Sequence, residues 1–163
     1  MNLDFDVQLQ VALRALNDVV APTLVGAEKH VVEQLHLAVA TVGFVKARLP
    51  EARRYYRMEL RHFIGLASSA AQAVGQDGAL NGVVREGEDA LASAEADIAD
   101  YVAITRRLRD EVTALVSRAQ GEARARLEKL VLDTSVEILP QYRQWALPFG
   151  LELKPKTLPA PSW

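Results

Sequence analysis

The chain has 163 residues, of which half are hydrophobic and a quarter are charged, and its formal net charge is −2. A chain of this length buries enough surface to fold as one domain without disulfide bonds or a structural metal. The absence of cysteine excludes disulfides, thiolate metal sites and a cysteine nucleophile. The near-neutral charge argues against nucleic-acid binding. An acidic N-terminal start and the lack of a membrane-length apolar run predict a cytoplasmic protein that does not engage a membrane.

Apolar residues recur at helical spacing along most of the chain and predict five helices. In the second of them, Val31, Leu35, Ala38, Val42 and Val45 form a single inward stripe. Prolines 22, 50 and 140 are expected to end or bend helices, and the glycines at 75 and 78 predict a turn. The predicted helices span about residues 4–21, 27–49, 51–74, 83–119 and 122–139.

The fourth predicted helix has the most regular pattern, because its apolar residues alternate steps of three and four for nearly four heptads. This apolar stripe is longer than the neighbouring helices of the same chain can cover, so it predicts a homodimer in which a second copy covers the rest. The alternative is an intramolecular bundle helix that is simply long, since heptad spacing is also typical of bundle cores. The predicted self-association residues are Leu91, Ile98, Tyr101, Leu108, Val112 and Leu115.

Short connections between sequential amphipathic helices favour antiparallel neighbours. The sequence therefore predicts an all-α, up-and-down antiparallel bundle of four to five helices over residues 1–147. Four prolines fall within residues 148–161, so residues 148–163 are predicted to form an extended C-terminal tail. The apolar residues of this tail favour docking along its own bundle or a neighbour's, and disorder is the alternative.

Two Glu-x-x-His tetrads suggest a metal site. Glu33 and His36 lie on the second predicted helix, and Glu59 and His62 lie on the third. Such pairs share a helix face and make up half the ligand set of a ferritin-like di-iron or di-manganese centre. However, helical geometry turns Glu33 and His36 away from the apolar stripe, which favours solvent-exposed polar residues instead.

A basic cluster lies at the junction of the second and third helices. Guanidinium groups in a row can bind phosphate or carboxylate, so an acidic ligand or an acidic partner surface is one interpretation. The other is an ordinary solvated helix face whose charges are satisfied locally. The residues concerned are Arg53, Arg54, Arg57 and Arg61.

The stretch from Ala12 to Leu24 and the following helix to Leu49 resemble the opening of an uncharacterised all-helical bacterial domain family. The resemblance covers about a quarter of the chain and carries no catalytic motif. It implies a bacterial cytoplasmic helical protein that acts as an accessory to a metabolic enzyme.

These observations favour a non-enzymatic helical interaction or accessory protein that needs no cofactor and self-associates as a homodimer or binds a protein partner. The alternative is a ferritin-like oxidoreductase that uses iron or manganese. The sequence contains no Gly-x-Ser-x-Gly nucleophile elbow of the kind serine hydrolases use, and no phosphate-binding loop.

Overall fold

The structure is a computed structural model that describes residues 4–75 and 77–163. These residues form helices and no strand, which confirms the all-α prediction. Gln76, within the predicted turn, lies outside the described residues, as do residues 1–3. The α-helices are α1 (Phe5–Arg14), α2 (Ala21–Thr23), α3 (Lys29–Arg48), α4 (Ala52–Ala73), α5 (Gly78–Ala92), α6 (Ile98–Arg118) and α7 (Gly121–Trp145).

The chain divides into two compact units. Among the described residues, the first comprises 4–50 and 142–160, and the second comprises 51–75, 77–141 and 161–163. These boundaries are distinct from the predicted one between the bundle and the tail, at residues 147 and 148, which stays a prediction.

The first unit is built on an antiparallel hairpin of α1 and α3. Lys46 near the end of α3 forms an ion pair of 2.9 Å with Asp6 near the start of α1, which fixes the antiparallel direction. The two helices meet along stripes of half-buried residues. These are Leu9, Leu13 and Leu16 on α1 and Val32, Leu35 and Val39 on α3.

Pro22 does not end the first helix where the sequence predicts. Helical structure continues to Thr23 through a π-helical stretch at Ala15–Val20. Because proline has no N–H and its ring clashes with the carbonyl four residues earlier, the backbone before it widens into a π turn rather than breaking.

Residues 142–160 pack within the first unit. Phe149 stacks on Phe44 of α3, with ring centroids 4.5 Å apart. Arg143 donates two hydrogen bonds of 2.8 Å to the Glu152 carboxylate, and this contact lowers the pKa of Glu152 to about 2. Gln144 donates to the carbonyl of Pro159 at 2.7 Å. This part of the predicted tail is therefore docked on its own chain.

The second unit contains the hydrophobic core. Helices α4, α5 and α6 pack against one another, and Leu127 of α7 joins the same buried cluster. The largest fully buried side chains of this core are Leu60, Leu80, Tyr101, Leu108 and Leu127. Burying an aliphatic side chain of this size stabilises the fold by roughly 1.5–3 kcal/mol, so most of the stability is expected to reside here.

The single helix predicted over residues 83–119 is wrong. The structure has two helices, α5 and α6, separated at Ser93–Asp97. Ser93 is extended with ψ 133°, and Asp97 begins α6 in a reciprocal capping box with Asp100. Caps at both sides of the break satisfy the backbone groups that a helix end leaves free, so the chain can turn without proline or glycine.

The last helix also differs from its prediction, because α7 continues through Pro140 to Trp145 rather than ending at Leu139. A proline in a helix interior costs one backbone hydrogen bond, which the helix tolerates here. The boundary between the two units falls just after this proline, between Gln141 and Tyr142.

Two glycines of α5 are expected to respond oppositely to alanine. A Cβ at Gly87 would lie 2.8 Å from Cδ1 of the buried Ile64, whereas a Cβ at Gly82 meets nothing within 4 Å. Gly82→Ala should stabilise the protein by about 0.5–1 kcal/mol through helix propensity. Gly87→Ala should destabilise it by about 1 kcal/mol or more because of overpacking. Urea unfolding of both variants measures the difference, and equal stabilisation by both would contradict the close packing at Gly87.

Candidate functional site

The predicted self-association residues lie mostly in the interior of the second unit. Tyr101, Leu108, Val112 and Leu115 are at most 4% exposed and belong to the core cluster with α4 and α5. Leu91 and Ile98 are half-buried. Packing within the chain thus accounts for the heptad spacing, and these side chains offer no open seam to a partner.

The two Glu-x-x-His tetrads belong to different units. Glu33 and His36 are exposed on α3, and Glu33 pairs with Lys29 at 3.4 Å. Glu59 lines a cavity between α4 and α6, whereas His62 lines a different cavity beside α7. Across residues 4–75 and 77–163, no three His, Asp or Glu side chains cluster as metal ligands. This geometry gives the iron or manganese hypothesis no support.

His62 lies on α4 and is half-buried beside Thr134 and Glu137 of α7. Burial lowers its pKa below 6.5, although the Glu137 carboxylate and a hydrogen bond with the Thr134 backbone act in the opposite direction. Its ring meets Phe63 edge-on, with centroids 5.4 Å apart. The cavity beside it holds about 420 Å³ and is also lined by Arg61 and Glu137. The folded protein therefore favours the neutral imidazole.

This lowered pKa predicts a loss of stability in acid. As the pH falls through 6.5, the unfolded chain binds a proton at His62 before the folded chain does, so unfolding becomes more favourable. Above pH 6.5 the imidazole is neutral in both the folded and the unfolded chain, so His62 causes no loss of stability there. We expect His62→Gln to reduce the fall in melting temperature between about pH 8 and about pH 5.

The control is His36→Gln, which changes an exposed histidine on α3. Its melting temperature should follow the same pH dependence as the wild type. If His62→Gln does so too, the imidazole at position 62 does not contribute to the acid response.

Two of the four arginines in the basic cluster hold the segment between α5 and α6. Arg57 donates to the carbonyl of Leu91 at 2.7 Å and to the hydroxyl of Tyr101 at 2.9 Å. Arg53 donates to the carbonyls of Ala94 and Ala96, both at 3.0 Å. Their guanidinium groups satisfy carbonyls that the helix break leaves unpaired, so their role here is structural.

The other two arginines remain open to solvent. Arg54 and Arg61 are exposed and form no ion pair within the described parts of the chain. They line a groove of about 170 Å³ together with Ser162 and Trp163. Trp163 packs edge-on against Tyr55 at 5.4 Å, and its indole N–H donates to Glu51 at 3.3 Å. Anion binding at Arg54 and Arg61 stays a prediction.

Sequence reasoning missed an exposed apolar surface on the first unit. None of the described residues 4–50 is buried. The inward stripe predicted on α3 is divided, because Leu35 and Val42 are half-buried but Val31, Ala38 and Val45 are exposed. On α1, Phe5 is 74% exposed. The sequence could have indicated this surface, because the apolar stripe on α3 is wider than contact with a single neighbouring helix covers.

These exposed residues lie on one side of the hairpin. Val31, Ala38 and Val45 each precede a half-buried residue of α3, and on α1 Ala12 precedes the half-buried Leu13. In an antiparallel helix pair, positions that directly precede the contact residues lie on the same side. Phe5 is seven residues before Ala12 and shares its side. We call Phe5, Ala12, Val31, Ala38 and Val45 the hairpin face.

Comparisons with known proteins give no relative: no family model, no curated protein and no solved structure matches this chain. None of the helices in the described residues is long and apolar enough to span a bilayer.

Proposed function

We propose that this protein is a non-enzymatic helical interaction module that self-associates through its hairpin face. The observation that carries the proposal is the contrast between the two units. The second unit has a closed core, whereas described residues 4–50 bury no side chain and expose large apolar ones. Contiguous exposed apolar surface is typical of an interaction site.

The dimensions of the hairpin suit a dimer. Helix α3 has 20 residues, which makes it about 30 Å long, and two helices side by side are about 20 Å wide. A face of this size offers roughly 600 Å² per partner, the lower end of the range for specific interfaces. A second copy presents the same apolar face, and twofold pairing of identical surfaces is the commonest form of oligomer.

The charges of the hairpin also favour a second copy. Residues 4–23 carry three acids and one base, a net charge of −2, whereas α3 carries three bases and one acid, a net charge of +2. Two hairpins that meet face to face can place α1 of one copy beside α3 of the other. This arrangement repeats between chains the attraction that already joins Asp6 and Lys46 within one chain.

The test is the mass of the wild-type protein in solution, measured by sedimentation equilibrium over a wide concentration range. We expect a reversible equilibrium that reaches twice the chain mass at high concentration. A single-chain mass at every concentration would overturn the proposal that a second copy covers the hairpin face.

A further inference from the structure

The short segment that ends in Trp163 is held on the second unit by three side-chain contacts. The indole N–H of Trp163 donates to the Glu51 carboxylate at 3.3 Å. The indole ring meets the Tyr55 ring edge-on, with centroids 5.4 Å apart. The backbone N–H of Ser162 donates to the side-chain oxygen of Gln141 at 3.0 Å. These contacts fix both the indole and the adjoining backbone.

The site is built more firmly than the segment that occupies it. We call residues 161–163, which belong to the second unit, the tail anchor. Tyr55 is 5% exposed, so packing fixes the ring against which the indole lies. By contrast, Pro161 and Ser162 are exposed and Trp163 is half-buried. A segment that buries so little surface opens at a low cost in free energy, which leaves its site accessible to another segment.

The groove beside the tail anchor carries positive charge that the tail anchor does not neutralise. It holds about 170 Å³, and its charged lining consists of Arg54, Arg57 and Arg61. Arg57 donates to the Leu91 carbonyl at 2.7 Å, whereas Arg54 and Arg61 are exposed and form no ion pair among the described residues. The tail anchor contributes only the neutral Ser162 beside its indole. An acidic side chain at that position would complement the groove, because guanidinium groups bind carboxylates strongly.

We propose that this part of the second unit is a recognition site for a segment of a partner protein in which an acidic residue directly precedes tryptophan. The partner's indole takes the place of Trp163 between Tyr55 and Glu51, and its carboxylate binds Arg54 and Arg61. Proline-rich segments commonly bind in grooves lined by aromatic residues, and the sequence Leu-Pro-Ala-Pro-Ser-Trp before and through the tail anchor is of this kind.

The tail anchor then acts as an internal competitor. It reproduces the indole of the partner but has serine where the partner has an acid, so it fills the site and is displaced by the stronger ligand. The site shares no residue with the hairpin face, so either proposal can fail without the other.

The experiment compares two labelled peptides, Leu-Pro-Ala-Pro-Glu-Trp and Leu-Pro-Ala-Pro-Ser-Trp, by fluorescence anisotropy. Both end in an amide, so only the acidic side chain differs in charge. We expect the acidic peptide to bind full-length Trp163→Ala at least about tenfold more tightly than the wild type, because the variant lacks the competing indole. The serine peptide should bind Trp163→Ala about fivefold more weakly than the acidic one.

Three results would overturn the proposal. They are no binding of either peptide to Trp163→Ala, equal affinity of the acidic peptide for Trp163→Ala and the wild type, and equal affinity of the two peptides for Trp163→Ala.

A second variant tests the proposal without removing the indole. Ser162 is exposed, so Ser162→Glu leaves the packing of the unit unchanged and gives the internal competitor the partner's acid. The affinity of this variant for the acidic peptide should be at least about threefold below that of the wild type, since a tethered competitor acts at high effective concentration. Ser162→Gln is the uncharged control and should bind as the wild type does. Equal affinities in Ser162→Glu and Ser162→Gln would contradict the internal competition.

The arginines are tested in the Trp163→Ala chain. Adding Arg54→Gln and Arg61→Gln together should abolish the preference for the acidic peptide and leave the affinity for the serine peptide unchanged. Adding Arg85→Gln, which changes an exposed arginine of α5 outside the groove, should preserve the preference. A preference that survives the loss of Arg54 and Arg61 would assign the acid to another site and refute the proposal.

Discussion

Replacing Arg57 with methionine is expected to lower the free energy of unfolding by about 2–4 kcal/mol, because two charge-assisted hydrogen bonds are lost. The Arg57 side chain bridges the Leu91 carbonyl at the end of α5 and the Tyr101 hydroxyl at the start of α6. Tyr101 is fully buried. Methionine keeps an unbranched apolar stem at this position and removes the donors.

The matched control is Arg54→Met on the same helix. Arg54 is exposed and forms no ion pair in the parts of the chain that the structure describes. Its replacement should change the free energy of unfolding by less than about 0.5 kcal/mol. Urea titration of both variants measures the difference. Equal losses in the two variants would mean that Arg57 does not hold the break between α5 and α6.

The second large effect is expected at the hairpin face. The double variant Ala38→Glu, Val45→Glu should weaken dimerisation at least about a hundredfold, which corresponds to about 2.8 kcal/mol. Each substitution occurs twice in a symmetric dimer, so like charges are buried against an apolar surface and near one another. Sedimentation equilibrium should then give the mass of one chain at concentrations at which the wild type is dimeric.

The control for this variant is Leu37→Glu. Leu37 is also an exposed apolar residue of α3, at 56%. It is two residues from both Leu35 and Val39, so it lies on the side of α3 opposite the contact stripe and away from the hairpin face. We expect its mass to follow the wild type. Circular dichroism should show unchanged helix content in both variants, so that dissociation is not the result of unfolding. Dissociation by Leu37→Glu alone would place the interface elsewhere on the hairpin.

Much of the fold could be predicted from the sequence, because periodicity and proline positions report local structure. Helices α3 and α4 begin and end within two residues of their predicted bounds. The break at Ser93–Asp97 was missed because it contains no proline or glycine. Its signal was present in the acidic capping pair Asp97 and Asp100, which a continuous apolar pattern outweighed.

The candidate sites could be predicted less well, because their character depends on contacts between distant residues. Spacing placed Arg53 and Arg57 on one helix, but it could not show that they bind carbonyls at residues 91–96. Heptad spacing likewise could not distinguish a core seam from a dimer seam at Leu108 and Val112.

The most direct test of the central claim, that a second copy covers the hairpin face, is the reactivity of one introduced thiol. The chain has no cysteine, so Ala38→Cys carries a single reactive site on that face. Ala47→Cys, exposed on the other side of α3, is the control. We predict that maleimide labels Ala38→Cys slowly at high protein concentration and at the control rate after dilution. Labelling of both variants at the same rate at every concentration would contradict the account.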